Sequence, residues 1–208
     1  MDLKDWPSEI FVTGTDTGIG KTVVSAMLTK ALDASYWKPI QAGLEEETDT
    51  EFVQRVTGFS GSRIKPERYR LKTPMSPHGA ADIDGITISL EDFSLPGYST
   101  GHLIVEGAGG LLVPINDQDM IIDLISYLDL PVILVARSTL GTLNHTFLSL
   151  EALRKRDITV FGVVMNGPRH KSNYEAIKHY GKVEVLAEVE TMESFNPQSL
   201  QEQFDREF

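Results

Sequence analysis

A glycine-rich segment between an apolar run and an amphipathic helical pattern constrains this chain more than any other feature. The run Ile10-Phe11-Val12 leads into it, and from Lys21 to Leu32 apolar residues recur at helical spacing. A strand, a glycine-rich turn ending in Gly-Lys-Thr and a helix, in this order, are typical of a loop whose backbone N–H groups bind phosphate. The residues that we expect to bind nucleotide phosphates are Gly14, Thr15, Asp16, Thr17, Gly18, Ile19, Gly20, Lys21 and Thr22.

Two side chains of this loop have specific expected roles. Lys21 would reach the outer phosphates, and the Thr22 hydroxyl would be a ligand of Mg²⁺. The spacing departs from the standard pattern, because Thr15 stands where the first glycine normally falls. The alternative interpretation is an ordinary glycine-rich turn between a strand and a helix, but the order of the elements favours a nucleotide site.

Short apolar runs alternate with helical patterns along most of the chain. Nearly all-apolar strands separated by helices predict a doubly wound α/β fold, mainly parallel and covered by helices on both faces. Ligands of such sheets bind beyond the carboxyl ends of the strands. The later strands are predicted at 102–106, 131–136, 159–166 and 183–189, and the later helices at 50–56, 120–128, 142–154, 172–180 and 197–208.

One segment, residues 64–85, breaks this alternation. It carries Pro66, Pro74 and Pro77 with few periodic apolar residues, which we interpret as a long ordered loop. The 208 residues, without repeats or linkers, are expected to form a single domain.

Composition excludes several classes of protein. A net charge of −11 disfavours binding to nucleic acid, and the absence of cysteine excludes disulfides and thiolate metal sites. No apolar run approaches the roughly 20 residues of a membrane helix. Residues 1–9 are polar and acidic and lack the apolar core of a signal peptide, so we expect a cytoplasmic protein without a membrane partner.

Charged residues follow two other strands at the predicted ligand edge. Glu106 ends an apolar strand, where many phosphate-loop enzymes carry a carboxylate for the metal, and glycine-rich residues 107–110 follow it. Asp49 is either a second metal ligand or only the N-cap of a helix. Lys38 closes the second strand and is placed to stabilise a transferring phosphoryl group. These residues indicate a magnesium–ATP enzyme or switch and leave its substrate open.

Blocks of residues in a fixed order resemble one family, the dethiobiotin synthetases. The resemblance extends from Phe11 to about Asn166 and includes Ser76-Pro77-His78. Its main blocks are Gly14-Thr15-Asp16-Thr17 with Gly20-Lys21-Thr22, Lys38-Pro39-Ile40-Gln41-Ala42-Gly43, Glu106-Gly107-Ala108-Gly109-Gly110, and Leu130-Pro131-Val132-Ile133-Leu134-Val135 with Leu140-Gly141-Thr142-Leu143-Asn144-His145.

The resemblance implies an ATP-dependent cyclo-ligase of biotin biosynthesis, acting at the penultimate step. In this family carbon dioxide forms a carbamate on one amine of 7,8-diaminononanoate, and the carbamate attacks the γ-phosphate of ATP. The second amine then attacks the activated carbon, closing the ureido ring and releasing phosphate. The resemblance also implies Mg²⁺ as cofactor, ATP as co-substrate and a homodimer.

Site residues are implied by the same resemblance. Thr22, Asp49 and Glu106 would bind the metal, and Lys38, Lys21 and Thr17 would act on the γ-phosphate or carbamate. Further ATP contacts are implied for Gly107, Ala108, Gly109 and Asn166, the last at the adenine. The substrate would contact Lys38, Ala42, and a turn of the partner subunit formed by Leu140, Gly141, Thr142, Leu143 and Asn144.

Three positions depart from the family pattern, one of them Glu190, which stands where proline is common. Gly18 stands where some relatives have Glu, so no carboxylate role is transferred to it. Ala42 stands where Ser or Thr is frequent, so a hydroxyl contact to the substrate is lost.

Three alternatives share the nucleotide site. The first is a regulatory ATPase switch of the partitioning and septum-placing type, which carries an extra lysine early in the loop, where this chain has Thr13-Gly14-Thr15-Asp16. The second is a cobyrinate-type amidotransferring synthase, for whose glutaminase domain 208 residues are too few. The third is a non-catalytic nucleotide-binding module.

Overall fold

A seven-stranded sheet organises the molecule, which is described here by a computed structural model of residues 5–208. The first four residues of the polar N-terminal stretch lie outside the described residues. The strands of this sheet are β1 Glu9–Gly14, β2 Ser35–Trp37, β4 Ile64–Lys65, β6 Leu103–Glu106, β7 Val132–Arg137, β8 Val160–Asn166 and β9 Val185–Val189. Their order in the sheet is β4-β2-β6-β1-β7-β8-β9, and every pairing between them is parallel.

Helices cover both faces of the sheet, which confirms the predicted doubly wound α/β fold. The helices are α1 Lys21–Ala31, α2 Asp49–Thr57, α3 Pro77–Asp84, α4 Ile121–Leu128, α5 Thr142–Arg154, α6 Lys171–Gly181 and α7 Pro197–Glu207. One apolar core contains buried residues of α1, α2 and α7, and the other contains buried residues of α3 to α6. Among residues 5–208 no helix has the length and apolar character needed to span a membrane.

The interpretation of residues 64–85 as a loop was wrong. The segment contains two short strands, β4 and the three-residue β5 Tyr69–Leu71, and the helix α3. β5 pairs in parallel with β3 Ile40–Ala42 to form a second, two-stranded sheet. Pro77 suits the first turn of α3, where no N–H is needed, and Ala80 and Ala81 are buried. Elements this short leave no periodic pattern to detect.

Strand register brings the predicted site residues to one edge of the sheet. Val12 of β1 is aligned with Glu106 at the end of β6, and Trp37 of β2 is aligned with Val105. Lys38, directly after β2, therefore lies beside Glu106. β2 ends one residue earlier than predicted, at Trp37.

Candidate functional site

The loop between β1 and α1 has the conformation of a phosphate-binding loop. Gly18 and Gly20 have φ angles of 69° and 92°, in the left-handed region that favours glycine. Gly20 is the N-cap of α1 and gives it no side-chain cap, so backbone N–H groups at the helix start are available to an anion. A residue with a Cβ at position 18 would adopt this φ only with strain.

Asn166 at the end of β8 braces the loop. Its side-chain amide donates a hydrogen bond of 2.8 Å to the carbonyl of Ile19. A Cβ at Gly20 would lie 2.2 Å from the same amide nitrogen and would displace it, and the φ of 92° there also favours glycine. The sequence suggested an adenine contact for Asn166, and the structure gives its amide a contact within the loop.

Lys21 is buried beneath the loop, with 7% of its surface exposed. Its ammonium group donates to the main-chain carbonyl of Asp16 at 2.9 Å. Burial lowers the pKa of Lys21 below its ordinary value, and the nearby Glu106 carboxylate opposes that shift. The Asp16 carboxylate accepts from the Thr17 N–H at 2.7 Å and from Arg137, at the end of β7, at 2.6 Å.

Thr22, Asp49 and Glu106 meet although they are distant in sequence. The Thr22 hydroxyl Oγ1 lies 2.8 Å from Asp49 Oδ1 and 2.8 Å from Glu106 Oε1. Two carboxylates and a hydroxyl form a hard oxygen donor set, which is the chemistry that Mg²⁺ prefers. No cluster of three or more His, Cys, Asp or Glu side chains suited to a metal occurs among the described residues. Phosphate oxygens of a bound nucleotide would have to complete the coordination.

Lys38 lies between the two carboxylates. Its Nζ is 2.5 Å from Asp49 Oδ2 and 3.1 Å from Glu106 Oε1, and it also donates to the Gly107 carbonyl at 3.4 Å. Burial alone would lower the pKa of Lys38, but the Glu106 and Asp49 carboxylates outweigh it and raise the pKa. The group therefore stays a cation inside the site.

Asp49 is not the N-cap of α2, so that alternative interpretation was wrong. Thr48 is the N-cap, and it forms a capping box with Glu51. Asp49 is the first helical residue, and its N–H donates to the Gln41 side chain at 3.3 Å. Burial would raise the pKa of the Asp49 carboxyl, but the Lys38 ammonium outweighs burial and lowers it.

Two residues near these carboxylates, Tyr36 and Gln41, were not predicted as site residues from the sequence. Tyr36 donates its hydroxyl to Glu106 Oε2 at 3.0 Å, and the Gln41 side chain holds the loop before α2. Burial, followed by the Glu106 charge, raises the pKa of Tyr36 well above its ordinary value, so the hydroxyl remains a donor. Tyr36 could have been predicted from strand alternation, because it lies two residues before Lys38 and therefore on the same face of the sheet.

A cavity of about 680 Å³ adjoins these groups. Residues 74–77, which lead into the first residue of α3, form one wall of the cavity. Gly107, which was also predicted to contact ATP, does not line the cavity, and its N–H donates to the Val12 carbonyl at 3.0 Å. The sequence-predicted residues that line the cavity are Thr17, Gly18, Gly20, Lys21, Thr22, Lys38, Ala42, Asp49, Glu106, Ala108 and Gly109.

Other predicted residues lie outside this cavity. Gly14, Ile19 and Asn166 do not line it, and Asn166 donates instead to the Ile19 carbonyl. Thr15 and Asp16 line a second cavity of about 290 Å³, together with residues of α5. The turn of residues 140–144 also lies outside the main cavity, with Leu140 97% exposed. Gly141 is the N-cap of α5 with φ of 92° and provides no side-chain cap.

A protein-family model and curated relatives both match this chain over most of its length. A family model described as an AAA domain matches residues 8–199. The ATP-dependent dethiobiotin synthetases BioD of Brucella ovis and Brucella abortus are each 50% identical to this chain over 201 residues, which are 97% of this chain and 94% of each relative.

Solved structures share the fold at low sequence identity. A nucleotide-binding protein from Archaeoglobus fulgidus in complex with ADP superposes with a TM-score of 0.54 at 13% identity, covering 98% of this chain and 90% of that one. The MinD cell division ATPase of Pyrococcus furiosus gives a TM-score of 0.51 at 14% identity, covering 96% and 99%.

These structures support the phosphate-loop fold alone, whereas the Brucella relatives match the sequence across nearly its whole length. With 50% identity over 97% of its residues, the chain belongs to the dethiobiotin synthetase family.

Proposed function

We propose that this chain is an ATP- and magnesium-dependent dethiobiotin synthetase that closes a ureido ring on 7,8-diaminononanoate with carbon dioxide. The observation that carries the proposal is the convergence of a phosphate-binding loop, two carboxylates and a buried lysine on one cavity of about 680 Å³. Membership of the synthetase family gives this arrangement its substrate. The family model spans residues 8–199, which supports treating the chain as a single catalytic domain.

ATP would bind with its phosphates on the loop at the start of α1. Lys21 and the loop N–H groups would hold the outer phosphates, and Thr22, Asp49 and Glu106 would hold Mg²⁺. The metal supplies positive charge that compensates the phosphate oxygens. Asn166 would contact the adenine with the part of its amide that the loop contact leaves free.

The ring closure has two chemical stages. One amine of the substrate takes up carbon dioxide, loses a proton and becomes a carbamate, whose oxygen attacks the γ-phosphorus while ADP leaves. The second amine then attacks the carbamate carbon, and the C–O bond to phosphate breaks. Lys38 and Thr17 line the cavity, and the Lys38 cation would compensate the charge on the carbamate and γ-phosphate. Holding the labile carbamate beside the phosphate is the main catalytic task.

We also propose that two subunits share each substrate site. The turn of residues 140–144 lies outside the cavity of its own subunit, and no side chain caps the α5 helix that it begins. Such a helix start favours an anion such as the substrate carboxylate. Leu112, Leu140 and Leu148 are 59%, 97% and 57% exposed, which supports an apolar contact with a second copy.

Product formation tests the proposal against the regulatory switch and the non-catalytic module. Incubation with ATP, Mg²⁺, bicarbonate and the diamine should give dethiobiotin, detected by mass spectrometry, with one ADP for each ring closed. Omission of the diamine should abolish rapid ADP release. ADP release that is slow and independent of the diamine, without dethiobiotin, would instead favour the switch. Since the reaction consumes ATP and bicarbonate, we expect it to take place in the cytoplasm.

A further inference from the structure

Tyr36 forms a fully buried contact with the carboxylate at the end of β6. Both residues have 0% of their surface exposed, and the Tyr36 hydroxyl donates to Glu106 Oε2 at 3.0 Å. The other oxygen, Oε1, receives the Thr22 hydroxyl at 2.8 Å and the Lys38 ammonium at 3.1 Å. The two oxygens of Glu106 therefore have different partners.

The sheet explains why the tyrosine reaches this carboxylate. β2 and β6 are parallel neighbours, with Tyr36 aligned with Ile104. Side chains two residues apart in a strand share a face, so Tyr36 lies on the face of Lys38, and Ile104 on the face of Glu106. The tyrosine ring packs in the same apolar core as Ile104. Its hydroxyl extends along the strands to the carboxylate one pleat further on.

We propose that Tyr36 is a positioning residue, which fixes Glu106 so that Oε1 faces the metal site and Oε2 does not. This inference rests on the proposed function, because it assigns Glu106 to Mg²⁺. Partners in the outer shell orient a ligating carboxylate and are needed for full metal affinity. A buried carboxylate oxygen without a donor is unfavourable, and among the described residues Tyr36 is the donor found for Oε2. Without that hydroxyl, Oε2 loses its hydrogen-bond donor, and rotation of the carboxylate towards other donors becomes favourable.

Removal of the Tyr36 hydroxyl alone distinguishes its effect on the position of Glu106 from the packing of its ring. Tyr36→Phe keeps the ring in the apolar core and deletes only the O–H group. Affinity for a non-hydrolysable ATP analogue should be measured by calorimetry over a series of Mg²⁺ concentrations, together with thermal unfolding. We expect the Mg²⁺ concentration for half-maximal enhancement of analogue binding to rise by about 10- to 100-fold. Turnover lost at limiting Mg²⁺ should return at saturating Mg²⁺.

Tyr98→Phe is a matched control, because Tyr98 also donates its hydroxyl to a carboxylate, that of Glu9, away from the site. It should leave the Mg²⁺ midpoint unchanged. A Tyr36→Phe protein with a lower unfolding temperature but the wild-type Mg²⁺ midpoint would show that the residue is structural and overturn the inference. If analogue binding to the wild type is itself independent of Mg²⁺, the metal assignment of the proposed function fails as well.

A double-mutant cycle tests whether Tyr36 acts through Glu106. Analogue binding by Tyr36→Phe, Glu106→Gln and the double variant is compared at each Mg²⁺ concentration. If the tyrosine acts through the carboxylate, its removal should change the midpoint much less in the Glu106→Gln background. Equal fold-changes in both backgrounds would contradict the proposal, whatever the stability of the variants.

Discussion

The side-chain amide of Asn166 is hydrogen bonded to the carbonyl of Ile19 at 2.8 Å, which joins the end of β8 to the phosphate-binding loop. The two residues are 147 positions apart in sequence. The loop is therefore held by the neighbouring part of the sheet as well as by the strand and helix that flank it.

Asn166→Ala should weaken ATP binding because it releases this contact and also removes the adenine contact proposed for the same amide. An intramolecular neutral hydrogen bond contributes about 1 kcal/mol, so the free energy of unfolding and the ATP affinity should both fall, the affinity by roughly fivefold. Asn173→Ala is a matched control, since it removes an amide contact of 2.8 Å to the Ser138 carbonyl outside the loop. Calorimetry should show a loss of ATP affinity in the Asn166 variant alone. Equal ATP affinities in the two variants would show that the Asn166 contact does not stabilise the loop for ATP binding.

Lys21→Ala should abolish most ATP binding while the fold is retained. The substitution removes a charged phosphate contact, and hydrogen bonds to charged groups contribute about 1.5–3 kcal/mol, or roughly 10- to 150-fold in affinity. Lys155→Ala, at a 70% exposed lysine paired with Glu151, is the control. Near-normal ATP affinity of the Lys21 variant by calorimetry would contradict the assignment of the loop.

Glu106→Gln should raise the Mg²⁺ requirement of turnover. Glutamine has a similar shape but is neutral, so it removes a hard anionic ligand and weakens the pairing with Lys38. We expect the midpoint of a Mg²⁺ titration of turnover to increase by about tenfold or more. Glu151→Gln, on the surface of α5, should leave the midpoint where it is. An unchanged midpoint in the Glu106 variant would show that Glu106 is not a ligand.

The shared substrate site predicts complementation between subunits. Asn144→Asp places a negative charge at the start of α5, where the substrate carboxylate is proposed to bind. It should weaken diamine binding by something on the order of 1–3 kcal/mol and leave ATP binding unchanged. Calorimetric titrations with each ligand measure both effects.

Mixing Asn144→Asp with Lys21→Ala tests whether the turn acts on the opposite subunit. In a heterodimer with shared sites, one site carries both defects and the other carries neither, so activity should partly recover. If each subunit builds its whole site alone, every site keeps one defect. No recovery, after subunit exchange has been verified, would refute sharing.

Tyr98 should ionise at a higher pH than an ordinary tyrosine. Burial and the hydrogen bond to Glu9 raise the pKa of Tyr98 to about 12, from 10.0. Because the folded state favours the protonated form, its contribution to stability is complete below pH 10 and is lost as the pH rises towards 12. The stability difference between wild type and Tyr98→Phe should therefore shrink over this interval. Tyrosinate absorbance of both proteins checks the titration, and a Tyr98 that ionises near pH 10 would disprove it.

Local patterns determined much of this protein. The Gly-Lys-Thr loop, the apolar strands and the α1 and α5 helices follow from periodicities within a few residues, and their predicted bounds agree with the structure to within one or two positions. The position of Glu106 at the end of β6 was predicted for the same reason, since it ends an apolar strand at the edge where parallel sheets bind ligands.

Tertiary structure alone decided which distant residues meet. Strand order and register bring Tyr36 to Glu106 across 70 positions, and the packing of α2 against α1 brings Asp49 to Thr22 across 27. No local periodicity encodes register between strands that are far apart in sequence, because it depends on the packing of both faces at once. The short β4 and β5 were missed for a related reason. Strands of two and three residues are stabilised by their neighbours and carry too few side chains to form a pattern of their own.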